Sequence, residues 1–196
     1  PQRLAPPPTH DHRRTHDTPA LLSRYQDQGF VTVVPWAHFC GRFNAQTLAY
    51  AHAIANFGAA FRWLAFLDVD EFLFPVEGHD VSTVMRQFEH SPAVAVYWTM
   101  FGTSGLEIRH NRLTTETYTH QARYTQDPVP EHAINQKSIV NPYCVRAVQG
   151  AHLFHIEGHG HGAFLQNGKW LGKRSKDRLP GEPSGPLQLN HYFTRS

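Results

Sequence analysis

The chain has 196 residues, of which 40% are hydrophobic and 12% aromatic, with 18 Lys and Arg against 16 Asp and Glu. This describes one globular domain, long enough for a real core, and a formal net charge of +2 by itself implies no nucleic-acid partner. Cys40 and Cys144 match neither a metal-site spacing nor a disulfide framework. No run approaches the roughly 20 apolar residues of a membrane span and no signal-peptide pattern opens the chain, so the expected location is cytoplasmic, with membrane association left open.

Residues 1–16 read as a flexible arm and residues 17–196 as the folded domain. Pro6-Pro7-Pro8 cannot continue a helix, and His10-Asp11-His12-Arg13-Arg14 is polar throughout. Asp17 or Thr18 then caps a helix with Pro19 in its first turn, Leu21, Leu22 and Tyr25 on its apolar face, and Gly29 at its end. The β-branched run over residues 30–34 predicts a buried strand. After a loop over residues 35–43, Asn44 caps a helix reaching about residue 57. Leu48, Ala51, Ile54 and Phe57 are spaced three apart on one side of it, and Gly58 stops it.

The stretch Trp63-Leu64-Ala65-Phe66-Leu67-Asp68-Val69-Asp70-Glu71-Phe72-Leu73-Phe74-Pro75 follows. Residues 63–67 have the length and aromatic content of a buried strand. Carboxylates do not belong in such a strand unless their charge is compensated. Asp68 and Asp70, two apart at a strand end, can point to one face and offer hard oxygen ligands suited to Mg²⁺ or Mn²⁺. Glu71 can instead pin the loop by accepting backbone N–H bonds. A solvated acidic turn is the plainer reading of the whole stretch.

Residues 82–90 predict a short helix, and residues 93–98 a strand in which Val94, Val96 and Trp98 alternate with Ala93, Ala95 and Tyr97. The rhythm of helix and strand predicts a three-layer α/β fold with a mostly parallel sheet, its central strands at residues 30–34, 63–67 and 93–97. Such sheets place ligands at the carboxyl ends of their strands. Gly102 and Gly105 permit close backbone approach in the loop after the third strand. Residues 109–136 are polar and irregular, a length that points to a functional loop. Lys137 opens another short strand and could pair with a phosphate or a core carboxylate. His159 and His161, flanked by glycine, read as a loop, as do residues 166–186. There Lys169, Lys173, Arg174, Lys176 and Arg178 face a phosphate, an anionic membrane or simply solvent.

The ordered set of Trp63 to Pro75, Tyr97-Trp98-Thr99-Met100-Phe101-Gly102-Thr103-Ser104-Gly105, Lys137-Ser138-Ile139-Val140-Asn141-Pro142, His152 and His191-Tyr192-Phe193 resembles GT-A glycosyltransferases. The likeness is closest to glycosyltransferase family 92 and related family-2-like bacterial enzymes, and it covers roughly residues 17–196. It implies a GT-A fold and an Asp-x-Asp segment in which Asp68 and Asp70 hold Mn²⁺ or Mg²⁺, with His152 as third ligand and His155 in reserve. It implies a nucleotide-sugar donor held by Asp68, Asp70, Lys137 and Gln46. A glycan or polysaccharide acceptor would lie against Trp98, Phe101, Gly102 and Ser104. The reaction would be inverting, with Glu107, or else Glu131, as the base. The family's first strand, and its Asn/Asp-Ser-x-Asp loop apart from Asp17-Thr18, are expected to be missing, and the C-terminal part shortened.

Two other readings stand beside this one. Asp68, Asp70 and several histidines could hold two metals, as in phosphoesterase-type hydrolases, although His159-Gly160-His161 is the only short metal signature and no suitable Asp follows it. A vestigial sugar-binding domain without activity is the non-enzyme alternative.

Overall fold

The computed structural model describes residues 8–9, 18–36, 44–78, 80–108, 112–122, 135–172 and 185–192. In chain order its elements are β1 (Pro8–Thr9), α1 (Thr18–Asp27), β2 (Thr32–Val33), α2 (Ala45–Phe57), β3 (Leu64–Ala65), β4 (Glu71–Pro75), α3 (Val81–Met85), β5 (Ala93–Met100), α4 (Thr114–Thr117), β6 (Gln136–Val140), β7 (Val145–Val148), β8 (Phe154–Ile156), β9 (Gly160–Leu165), β10 (Trp170–Gly172) and β11 (Leu187–His191).

The sheet branches along β5. β6 runs antiparallel to it from Ala93↔Val140 to Tyr97↔Gln136. Two further strands pair with β5 in parallel and in succession, β9 at Val94 and Ala95 and β11 at Trp98, Thr99 and Met100. The Gln166 side chain bridges the gap between them: its amide nitrogen donates to the Leu187 carbonyl at 3.0 Å and its oxygen accepts from the Leu187 N–H at 2.8 Å. The alternation read along β5 holds. Ala93, Ala95 and Tyr97 pack into one core with Tyr50, Phe66, Phe154 and Ile156, while Val94 and Val96 pack into another with Ile139, Leu187 and Leu189.

The expected parallel layer is corrected to a mixed, curled sheet. Apart from the two parallel partners of β5, the ladders β3–β6, β4–β11, β7–β8, β8–β9 and β9–β10 are all antiparallel. The cause lies in the connections, since parallel neighbours need crossovers of a dozen or more residues. Here tight turns carrying Gly158 (φ +74) and Gly168 (φ +85) join β8 to β9 and β9 to β10, and such turns make hairpins. The loops expected around His161 and over residues 166–186 therefore contain β9 and β10.

Two expected central strands are also corrected. Within residues 30–34 only Thr32–Val33 is a strand, and it pairs with Pro8–Thr9 in a separate two-stranded sheet. Phe30 is 64% exposed, and α1 buries none of its residues, so this corner offers no core to draw a strand inward. Within residues 63–67 only Leu64–Ala65 joins the sheet, beside β6. Phe66 stacks instead between Tyr50, at 4.3 Å between ring centroids, and Phe154, at 5.3 Å.

Helix α2 begins where its cap predicts, with the Asn44 side chain accepting from the Thr47 N–H at 3.0 Å. Its buried residues are Ala49, Tyr50 and Ala53, whereas Ala51 is exposed. The face is rotated from the expected one because Tyr50 turns inward onto Phe66. Asp80 caps α3, accepting from the Thr83 N–H at 2.9 Å and from the Ser82 hydroxyl.

Candidate functional site

Asp68 and Asp70 lie in a tight turn between β3 and β4, closed by the Glu71 N–H donating to the Asp68 carbonyl at 3.0 Å. The turn is locked a second time, because Glu71 Oε2 accepts from the Asp68 N–H at 2.9 Å. This is the pinning role read for Glu71 in the sequence. The two aspartates differ in setting: the Asp68 side chain is 44% exposed and the Asp70 side chain 10%.

Lys137, near the start of β6, reaches this turn although only 1% of its surface is exposed. Its Nζ lies 2.8 Å from Asp68 Oδ2 and 3.4 Å from Glu71 Oε2. From α2, Gln46 Nε2 donates to Asp68 Oδ1 at 3.2 Å and to the Tyr50 hydroxyl at 3.0 Å. Burial pushes the Glu71 carboxyl up to about 7, against the opposing pull of Lys137. Burial alone would lower the Lys137 ammonium, but the Asp68 hydrogen bond and the fields of Glu71, Tyr50 and Asp68 outweigh it and raise the group above its ordinary value.

Asp70 meets β11. His191 Nε2 lies 3.6 Å from Asp70 Oδ2, and the next residue, Tyr192, donates its N–H to the Asp70 carbonyl at 3.0 Å. The Trp98 ring sits 4.2 Å from that of His191 and 5.2 Å from that of His152. His152 Nδ1 lies 2.8 Å from the Gln136 carbonyl, a contact that only a ring N–H can make favourable, so Nε2 is left as the unprotonated nitrogen. Burial holds both imidazoles below the ordinary histidine range, and Lys137 lowers both further. Asp68 and Asp70 partly offset this at His191, and Asp68 and the Gln136 carbonyl partly offset it at His152.

The structure thus gathers Gln46, Asp68, Asp70, Lys137, His152 and Trp98. Tyr50, which with Gln46 the sequence reads as able to reach the cleft, joins them through its hydroxyl, and the structure adds Glu71 and His191, which the sequence does not assign to the site. His155 is placed elsewhere, its ring 4.6 Å from that of His161 on the adjoining strand. The loop carrying Phe101, Gly102 and Ser104 borders the cluster through β11. The Phe101 N–H donates to the His191 carbonyl at 2.9 Å, and its ring stacks on Tyr192 at 4.9 Å. Ser104 adopts a left-handed backbone (φ +56), and its hydroxyl accepts from the His120 N–H at 2.9 Å. Glu107 is exposed beyond that loop. Glu131, Lys173, Arg174, Lys176 and Arg178 lie outside the described residues.

The donor chemistry suits a hard divalent cation: carboxylate oxygens and neutral imidazole nitrogens, with one buried carboxylate oxygen, Glu71 Oε1, lacking a hydrogen-bond partner. Among the described residues, no three His, Cys, Asp or Glu side chains converge closely enough to hold an ion.

The model of one protein family, described as Glycosyltransferase family 92, matches residues 9–167. The chain belongs to glycosyltransferase family 92. It is a glycosyltransferase, and its substrates are a sugar donor and a glycan acceptor. The match takes in Gln46, the acidic turn, Trp98, Lys137 and His152, whereas His191 lies beyond it. No curated protein matches the chain. Among the described residues, no helix is long and apolar enough to cross a membrane.

Proposed function

We propose that this family 92 member transfers a sugar from a nucleoside-diphosphate donor to a hydroxyl of a glycan or polysaccharide, and that Mn²⁺ or Mg²⁺ is its cofactor. The observation that carries this reading is the meeting of carboxylates in one turn. Asp68 and Glu71 share the buried ammonium of Lys137, and Asp70 stands beside His191, whose imidazole is held below the ordinary histidine range by burial. A diphosphate brought against these carboxylates meets like charge, which a divalent cation relieves.

Asp70 and Asp68 would hold the ion, with a ring nitrogen of His152 or His191 beside them. When bound, the ion neutralises the charge that builds on the departing diphosphate. The remaining work belongs to the chain. Gln46 and Lys137 orient Asp68, and the Gln136 carbonyl fixes the His152 ring. Trp98, Phe101, Gly102 and Ser104 form the acceptor side, where aromatic faces and backbone groups suit a sugar. In the inverting reaction Glu107 takes the proton of the acceptor hydroxyl.

The test is release of nucleoside diphosphate from a panel of UDP- and GDP-sugars with and without Mn²⁺, together with the anomeric configuration of the product read by NMR. Turnover unaffected by chelation removes the metal from the mechanism, and retained configuration removes the inverting reaction. Failure with every donor removes the nucleotide-sugar reading.

A further inference from the structure

Lysine is almost never fully buried unless it is paired, yet Lys137 is among the largest fully buried side chains of the protein. It emerges from β6, whose five residues are all buried, and it touches one oxygen of Asp68 and one of Glu71. The other Asp68 oxygen is taken by Gln46, and the other Glu71 oxygen has no hydrogen-bond partner. The Glu71 side chain is closed off from solvent while that of Asp68 is open to it. One monovalent cation therefore stands inside a turn of carboxylates, on the protein side of Asp68, and solvent lies on the other.

We propose that Lys137 is a resident cation that holds the acidic turn in its donor-ready shape before metal and donor arrive. It is a positioning residue that acts through Asp68 and Glu71. Without it, Glu71 would have to keep its proton or stand as an unpaired buried charge, and Asp68 would lose its anchor, so the turn would open. A divalent ion held by Asp68 and Asp70 would take over part of the same neutralising role. This takeover rests on the metal reading under Proposed function, whereas the holding role does not.

The experiment compares wild type, Lys137→Met and the double variant Lys137→Met/Glu71→Gln, each stripped of metal and then titrated with Mn²⁺, by thermal melting and calorimetry. Gln at position 71 keeps an oxygen for the Asp68 N–H and removes the charge. In metal-free buffer, Lys137→Met is expected to melt about 10 °C below wild type, and the double variant to recover most of that loss. Mn²⁺ is expected to raise the melting temperature of Lys137→Met by more than it raises that of wild type. Equal metal-free melting of Lys137→Met and wild type overturns the proposal, as does failure of Glu71→Gln to restore stability. If Lys137→Met does not fold, the double variant decides: failure of that variant to fold as well overturns the charge argument. Mn²⁺ heat in wild type with no extra gain in Lys137→Met overturns the takeover alone. Absence of Mn²⁺ heat from wild type overturns the metal reading and the takeover with it.

Discussion

Two groups of histidines occupy two regions of this protein, and their surroundings set them apart. His152 and His191 flank Trp98 at the acidic turn, one fixed by the Gln136 carbonyl and the other 3.6 Å from Asp70. His155, His159 and His161 belong to the β8–β9–β10 meander. There His155 lies against His161, and His159 against Trp170 and Phe164. The first group combines ring packing on Trp98 with a charged or hydrogen-bonding neighbour, whereas the second is arranged by ring packing. In a chain with 15 histidines, the residue type carries little information and the neighbour carries most of it.

The contrast yields four expectations. Asp70→Asn keeps the shape of the turn and removes a charge, and it should lower glycosyl transfer by roughly a thousandfold, about 4 kcal/mol. Steady-state assays at saturating Mn²⁺ read this, and a loss below tenfold would move the site away from the turn. In the meander, Gly162→Ala should cost stability instead, by about 3 kcal/mol in urea unfolding. Its new Cβ would stand 2.1 Å from the Leu171 carbonyl oxygen and 2.9 Å from the Trp170 ring. Turnover per folded molecule should stay at the wild-type level, and a fall would tie the meander to catalysis.

If Asp70 holds the proposed ion, His191→Ala should slow transfer by about thirtyfold, within the range typical of groups that orient a metal ligand, while His161→Ala should not change it. Equal effects would erase the distinction between the two groups. The last effect concerns pH. The folded Glu71 carboxyl keeps its proton up to about pH 7, whereas its unfolded value is near 4.5. The native state thus binds more protons at this group across that window, and the contribution of Glu71 to stability falls as pH rises from 4.5 to 7, by up to about 3 kcal/mol. Unfolding free energies at pH 5 and pH 7.5 measure the slope, and Glu71→Gln should flatten it. An unchanged slope would place the titration elsewhere.

What was legible in the sequence was local. The Asn44 cap, the two-faced β5 and the turn-pinning Glu71 each depend on residues within a few positions of one another. Registers set over long separations were not legible. Nothing around residue 71 announces that β4 will lie against β11, so neither β4 nor the meeting of Asp70 with His191 could be read. The hairpin glycines misled in another way. Gly158 and Gly168 look like flexible punctuation, yet their positive φ angles build the tight turns that reverse the sheet. The burial of Lys137 was half legible: pairing with a core carboxylate was one of its two readings, but β6 and the acidic turn meet only in the fold.

β11 has a consequence for how the protein comes into being. It pairs Glu71 with His191 and Trp98 with Leu189, so the acidic turn and the strand carrying Trp98 are brought together by a segment far downstream of both. Closing so long a loop carries an entropic cost before any contact repays it, which slows folding. During synthesis, β5 and β6 can pair while Asp70 still lacks its imidazole neighbour. The meeting of Asp70 with His191 therefore follows the pairing of β5 with β6, and a molecule in which β11 has not docked has much of its core and an incomplete candidate site.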